Sequence, residues 1–256
     1  MASISSQQEK RPFDTLIERL ENFRWRLLKS LFAIAVGTIM AFFLRTPLLA
    51  LISYPLTQHI SVLSQAEQPL FMMGLTEGIT VMVELALAAG FILALPVLLY
   101  QTWAFITTGW RRRRKASAFS FVGLGVVLFG LGLLFGYFLL RYPVTFLITF
   151  ADGGFTPLIT ARSYVHFVLL FLLTFGVMFQ MPQVLTFLAS IGLITEETLK
   201  RKRSIAHFLL WVSATILTPG GDLWSPVIMG FAMSGLYELS ILLIRWRRQK
   251  TCINKM

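Results

Sequence analysis

The chain has 256 residues, of which 56% are apolar and 14% charged, against about 25% charged in soluble domains, which argues against a water-soluble enzyme. Lys and Arg number 23 and Asp and Glu 12, a formal charge of +11, yet a mean hydropathy of +0.72 is too high for a nucleic-acid-binding domain. A single cysteine, Cys252, excludes a disulfide framework and any cysteine-based metal site.

In chain order, residues 1–26 read as a polar, amphipathic leader, and residues 27–44 as the first of six membrane spans. Arg45, Thr46 and Pro47 follow without a small-residue cleavage pattern, so span 1 reads as a retained anchor rather than a cleaved signal. Span 2, residues 79–105, would extend to about 40 Å as a straight helix against about 30 Å of hydrocarbon, which predicts tilt or a bend at Pro96. Its Glu84 costs roughly 2.5–3.5 kcal/mol at mid-helix, which apolar neighbours returning roughly 0.3–0.6 each can offset. Span 3, residues 118–140, carries Gly123, Gly125, Gly130, Gly132 and Gly136, the last two in GxxxG spacing, and close packing within the monomer is expected there. Span 4 takes residues 164–188 of an uncharged run reaching Ile194, with Gln180 just before Met181 and Pro182 at mid-membrane depth. Span 5, residues 205–218, would reach only about 21 Å and must thin the bilayer or shelter behind its neighbours. Span 6, residues 223–244, holds Glu238 about two turns from Arg245, a spacing that suggests a polar cluster at the helix end. A basic tail, 245–256, closes the chain.

The basic residues sort by side. Those before or at the start of span 1 (through Lys29), between spans 2 and 3 (Arg111 to Lys115), between spans 4 and 5 (Lys200 to Arg203) and after span 6 make 20 of the 23, leaving Arg45, Arg141 and Arg162 on the other face. The positive-inside rule then places both termini in the cytoplasm and the loops 45–78, 141–163 and 219–222 outside. The charge excess reads as topogenic.

Neither an HExxH, a P-loop nor a GxSxG pattern is present, and His59, His166 and His207 are far apart with no cysteine partners. His166 and His207 start their spans near opposite faces, where an interfacial ring or a hydrogen bond between helices accounts for each. Glu84, Gln180 and Glu238 make up the intramembrane polar inventory, and each must face protein or water. For Glu84 a structural pairing and a working role are both open. The Gln180 amide is placed to bond another helix or an entering peptide.

The strings Arg24-Trp-Arg-Leu-Leu28, Ser53-Tyr-Pro-Leu56, Pro96-Val-Leu-Leu-Tyr-Gln-Thr-Trp-Ala-Phe-Ile106, Phe175-Gly-Val-Met-Phe-Gln-Met-Pro182, Leu217-Thr-Pro219 with Asp222, and Tyr237-Glu-Leu239 follow one another at telling spacings. Taken together they resemble the TatC family, the multispanning component of the twin-arginine protein translocase. The resemblance covers nearly the whole chain. It implies an all-α polytopic membrane protein, a concave six-helix bundle with a short helix 5 and cytoplasmic termini, in which Pro55, Pro96, Gly109, Pro143, Pro182, Pro219 and Asp222 are structural. It implies no enzymatic activity, cofactor or metal, and no role with nucleic acid. It also implies a receptor or core subunit that works with single-span TatA-like and TatB-like proteins, as a homo-oligomer in a larger complex. Such a complex exports folded twin-arginine precursors at the expense of the proton-motive force.

In such proteins the N-terminal segment and the first cytoplasmic loop each use a glutamate to bind the twin-arginine motif. Aligned on Arg24, Trp25 and Arg26, this sequence has Asn22 at the first of those positions, with Glu21 beside it and Glu18 one turn earlier. Aligned on Gly109 it has Arg114 at the second, and Gln180 stands where helix 4 usually carries a buried Glu. The signal-peptide-binding candidates are therefore Glu18, Glu21, Arg24, Arg26, Arg114 and Gln180. A guanidinium pair needs carboxylates for bidentate bonding, and arginines 111–114 would repel it. That run also fits a topogenic anchor on lipid headgroups or a contact with acidic groups of a partner, and Glu18 and Glu21 also fit a solvated helix face. Two other readings stay open: a scaffold that does not read signal peptides, and a small-solute transporter, whose internal repeats and paired broken helices are not evident. The first 26 residues hold four acids and no transit-peptide pattern, which points to a bacterial inner membrane.

Overall fold

The computed structural model describes residues 12–63, 70–106, 114–151, 159–218 and 224–253. Gly109, Pro219, Asp222 and arginines 111–113 lie outside that set. The described chain is helical, in the order α1 (Pro12–Phe43), α2 (Arg45–Leu63), α3 (Glu77–Ile106), α4 (Arg114–Leu139), α5 (Arg141–Ala151), α6 (Ala161–Met178), α7 (Met181–Ser190), α8 (Glu196–Arg201), α9 (Arg203–Leu217) and α10 (Trp224–Ile253). Among the described residues, five stretches are long and apolar enough to cross a membrane: Phe23–Phe43, Glu77–Phe105, Ala118–Phe146, Ala161–Ser190 and Trp224–Trp246. The sixth expected span is the shorter α9.

The leader is not a separate element, because α1 runs unbroken from Pro12 through the apolar segment. The expected outer loops also carry helices, α2 in 45–78 and α5 in 141–163. Pro55 lies inside α2 and cannot donate to the carbonyl of Leu51; the Tyr137 hydroxyl of α4 donates to that oxygen instead, at 3.1 Å. One residue further, the buried Tyr164 hydroxyl donates to the Ile52 carbonyl at 2.9 Å. These two bonds pin α2 across α4 and α6.

Span 4 is two helices rather than one. Pro182 has no N–H for the Met178 carbonyl and its ring crowds that turn, so α6 stops at Met178 and α7 restarts with Gln180 at its N-cap. α6 is the centre of the bundle. Its Val165, Val168, Phe171 and Phe175 are completely buried and join Leu56 of α2, Leu85 of α3 and Met229 of α10 in one core. A smaller core sits under α8, where Leu199 packs on Tyr237, Ile241 and Ile244 of α10, and the Tyr237 hydroxyl donates to the Leu199 carbonyl at 2.9 Å.

The span 3 glycines divide as helix packing requires. A Cβ on Gly132 would lie 2.6 Å from the Phe175 carbonyl oxygen, and one on Gly136 3.0 Å from Phe175 Cβ, whereas Gly123 and Gly130 face open space. The GxxxG pair therefore serves contact within the monomer. A second close crossing, not singled out in the sequence, joins α1 to α3: a Cβ on Gly37 would lie 2.7 Å from the Gly90 carbonyl oxygen. In lipid, small residues let backbones approach this closely and gain van der Waals contact.

Candidate functional site

The start of α1 and the end of α3 meet on the face that bears the basic clusters. Phe23 and Phe105 make an edge contact at 5.6 Å between centroids, and Arg26 Nη1 reaches the Gln101 carbonyl oxygen at 3.5 Å. Beside this junction an open, apolar groove of about 790 Å³ runs between the helices, lined by Trp25, Leu28, Phe32 and Val97 with Lys29 and Gln101 at its polar edge. Glu21 and Arg24 are exposed next to it, and Arg26 is half-buried by its contact with α3. Glu18 lies on α1 and Arg114 opens α4, with both side chains outside the described set.

Gln180 is well away from Arg114. It meets α4 at Gly125, about 16 Å further along that helix. Its Nε2 donates to the Gly125 carbonyl at 2.8 Å, and one turn on, Gln183 Nε2 donates to the Phe121 carbonyl at 3.1 Å. Both amide oxygens are enclosed without a donor. Gly125 leaves the space for this, since a Cβ there would lie 3.0 Å from Gln183 Oε1 and 2.6 Å from Leu99 Cδ1. The amide thus bonds another helix, one of the two roles open to it. Gln183 went unnoticed in the sequence, although a polar side chain one turn after Gln180 in an apolar run was a usable signal. Just below, Trp103, Phe121 and Phe187 pack as a triangle with centroids 4.7–5.8 Å apart, joining α3, α4 and α7.

Glu238 has a partner other than the one its spacing suggested. Its Oε1 accepts from Arg203 Nε at 2.5 Å and lies 3.0 Å from His207 Nε2, both on α9, while Arg245 sits two turns away on α10 itself. The polar cluster therefore fastens α9 to α10, and the histidine is bonded between helices as one of its two readings had it. With the Arg203 side chain 56% exposed, a double-mutant cycle of Arg203→Ala and Glu238→Ala should give a coupling of about 1 kcal/mol in detergent unfolding. The cycle with Arg245→Ala should give none.

On the opposite face Glu84 pairs with His166, Oε1 to Nδ1, across α3 and α6. Above them Glu77, also overlooked in the sequence, ties two connections together. Its Oε1 accepts from the Arg162 amide at 3.0 Å and its Oε2 from the Met73 amide at 2.6 Å. A parallel bridge between Phe71 and Thr160 reinforces the junction.

This architecture has close counterparts. A sequence profile described as TatC, Sec-independent protein translocase protein, matches residues 18–231. The chain belongs to the TatC family. It is 32% identical over 240 residues to the Sec-independent protein translocase protein TatC of Desulforapulum autotrophicum, covering 93% of this chain and 86% of that one. It is 34% identical over 235 residues to the TatC of Campylobacter jejuni, covering 91% and 94% respectively. A crystal structure of the twin-arginine translocase receptor TatC superposes with a TM-score of 0.76 at 32% identity, covering 89% of this chain and 98% of that one. The protein is accordingly an all-helical, multi-pass membrane component of the twin-arginine translocase, a transport protein and not an enzyme. Family membership sets aside the solute-transporter reading.

Proposed function

We propose that this TatC-family chain is the precursor-binding core of its translocase, with the basic face and both termini in the cytoplasm of a bacterial cell. The observation that carries the reading is the α1–α3 junction: an open apolar groove beside Glu21, on the side to which the positive-inside rule assigns 20 of the 23 basic residues. A signal peptide has two parts to accommodate. Its apolar stretch fits a groove of Trp25, Leu28, Phe32 and Val97, and its arginine pair needs the carboxylates of Glu21 and Glu18. Exposed apolar helix faces, such as Phe208, Leu209 and Ile216 on α9, suit single-span TatA-like and TatB-like partners.

Photo-crosslinkers at Glu21, Trp25 and Gln180, used in intact membranes, should capture a twin-arginine precursor at the first two positions. Changing the precursor's arginine pair to lysines should abolish capture, because lysine cannot reproduce the planar, bidentate geometry. No crosslink at any position would overturn the receptor reading. The second reading is a scaffold that assembles with TatA-like and TatB-like helices without reading signals. Arg114 favours it, because a like charge stands where precursor binding calls for a carboxylate.

A further inference from the structure

The face that carries α2 and α5 holds two short polar tracks on neighbouring helices. On α3, Glu77, Thr80 and Glu84 recur at helical spacing; on α6, Arg162, Ser163 and His166 do the same, and the two helices pack together. At the upper end Glu77 Oε1 accepts from the Arg162 amide at 3.0 Å. At the lower end Glu84 meets His166. Seven residues of helix place Glu84 about 10 Å below Glu77. One turn deeper the same faces become apolar and exposed, with Leu87 on α3 and Leu170 on α6.

The side chains of His166 and Glu84 are 60% and 30% exposed, so protein covers neither of them fully. A carboxylate at such a site facing hydrocarbon alone would be costly, and intramembrane ionisable groups as a rule face a bundle interior or a water-filled cavity. Here the interior is filled by Val165, Val168 and Leu85, all buried, so the pair looks outward along the polar tracks, where water would solvate it.

We propose that Glu84 and His166 form a proton-binding site reached by water from the α2/α5 face through the Glu77–Thr80 and Arg162–Ser163 tracks. Uptake of one proton from hydronium converts a carboxylate–imidazole pair of net charge −1 into a carboxylate–imidazolium pair of net charge zero, with the proton held on the imidazole. The other charged residues on its own two helices are Glu77 and Arg162. Among described groups on α2, which packs against both, Arg45 lies over the Phe42 ring at 4.6 Å and Tyr54 is exposed. The Tyr137 hydroxyl of α4 is engaged by the Leu51 carbonyl. The site is separate from the groove at the α1–α3 junction and does not depend on the precursor-binding reading.

The experiment uses the full-length protein, with Cys252→Ser as background, in proteoliposomes of known orientation. Thr80→Cys and Ser163→Cys should react with a membrane-impermeant thiol reagent from the α2/α5 side about tenfold faster than Leu87→Cys and Leu170→Cys. In ¹⁵N-histidine-labelled protein, signals assigned through His166→Asn should change with the pH on the α2/α5 side. Glu84→Gln should alter that response, and Glu84→Asp should largely preserve it. Equal thiol reactivity at all four positions, or an identical His166 response in Glu84→Gln, would overturn the proposal.

Discussion

Replacing Gly90 by leucine should strip α1 from the bundle. A Cβ at Gly90 would lie 2.6 Å from the Thr38 Cα, so the clash is with backbone and no side-chain rotation relieves it. Helix α1 has little else to hold it: only 11% of its span is buried, against 39% and 44% for the spans built on α3 and on α6–α7. Overpacking costs about 1–3 kcal/mol where side chains can give way, and a backbone contact belongs at or above the top of that range. The midpoint of thermal unfolding in detergent should fall by about 10 °C, and the N-terminal helix should become sensitive to protease. Gly123→Leu and Gly130→Leu are the controls, since nothing lies within 4 Å of a Cβ at either. If all three variants unfold alike, the glycine crossing does not carry α1. Because α1 and α3 wall the groove, Gly90→Leu should also end precursor capture at Trp25.

Arg114→Glu should raise export of a twin-arginine precursor, measured in a strain lacking its own TatC. The substitution removes a positive charge beside arginines 111–113 and restores an acceptor for a guanidinium. A charge-assisted hydrogen bond contributes about 1.5–3 kcal/mol where water is partly excluded, so export limited by precursor affinity should rise about tenfold or more. Asn22→Glu combined with Arg114→Glu should rise further if each carboxylate takes one arginine of the pair. Unchanged export in both, with the protein stably inserted, would favour the scaffold reading and separate it from receptor function.

Much of the fold is legible in one dimension because the solvent is a slab of hydrocarbon. It demands long uncharged runs, and the runs at 79–105 and 118–140 fall inside α3 and close to α4. Local chemistry is legible in part: Gly132 and Gly136 mark a close contact, whereas residues 164–188 read as one span and the structure breaks them at Pro182. Partner choice is not. Glu238 has Arg245 two turns along its own helix, and its bonds go to Arg203 and His207 on α9. Gln183 looks like one more polar residue in an apolar run until Gly125 opens α4 to it.

The sequence by itself determined that this chain is a membrane-spanning helical protein of the TatC type, how many spans to expect, and which few polar groups lie within them. Those properties follow from residue-by-residue transfer between water and lipid, which adds up along the chain. Only the tertiary structure decided that Glu84 meets His166 across 82 residues, that α1 rests on Gly90, and that Glu77 joins two connections on one face. Each of these depends on which helices are neighbours and how each is rotated about its axis. In lipid those choices rest on shape and hydrogen bonding between surfaces distant in sequence, where apolar periodicity carries little information.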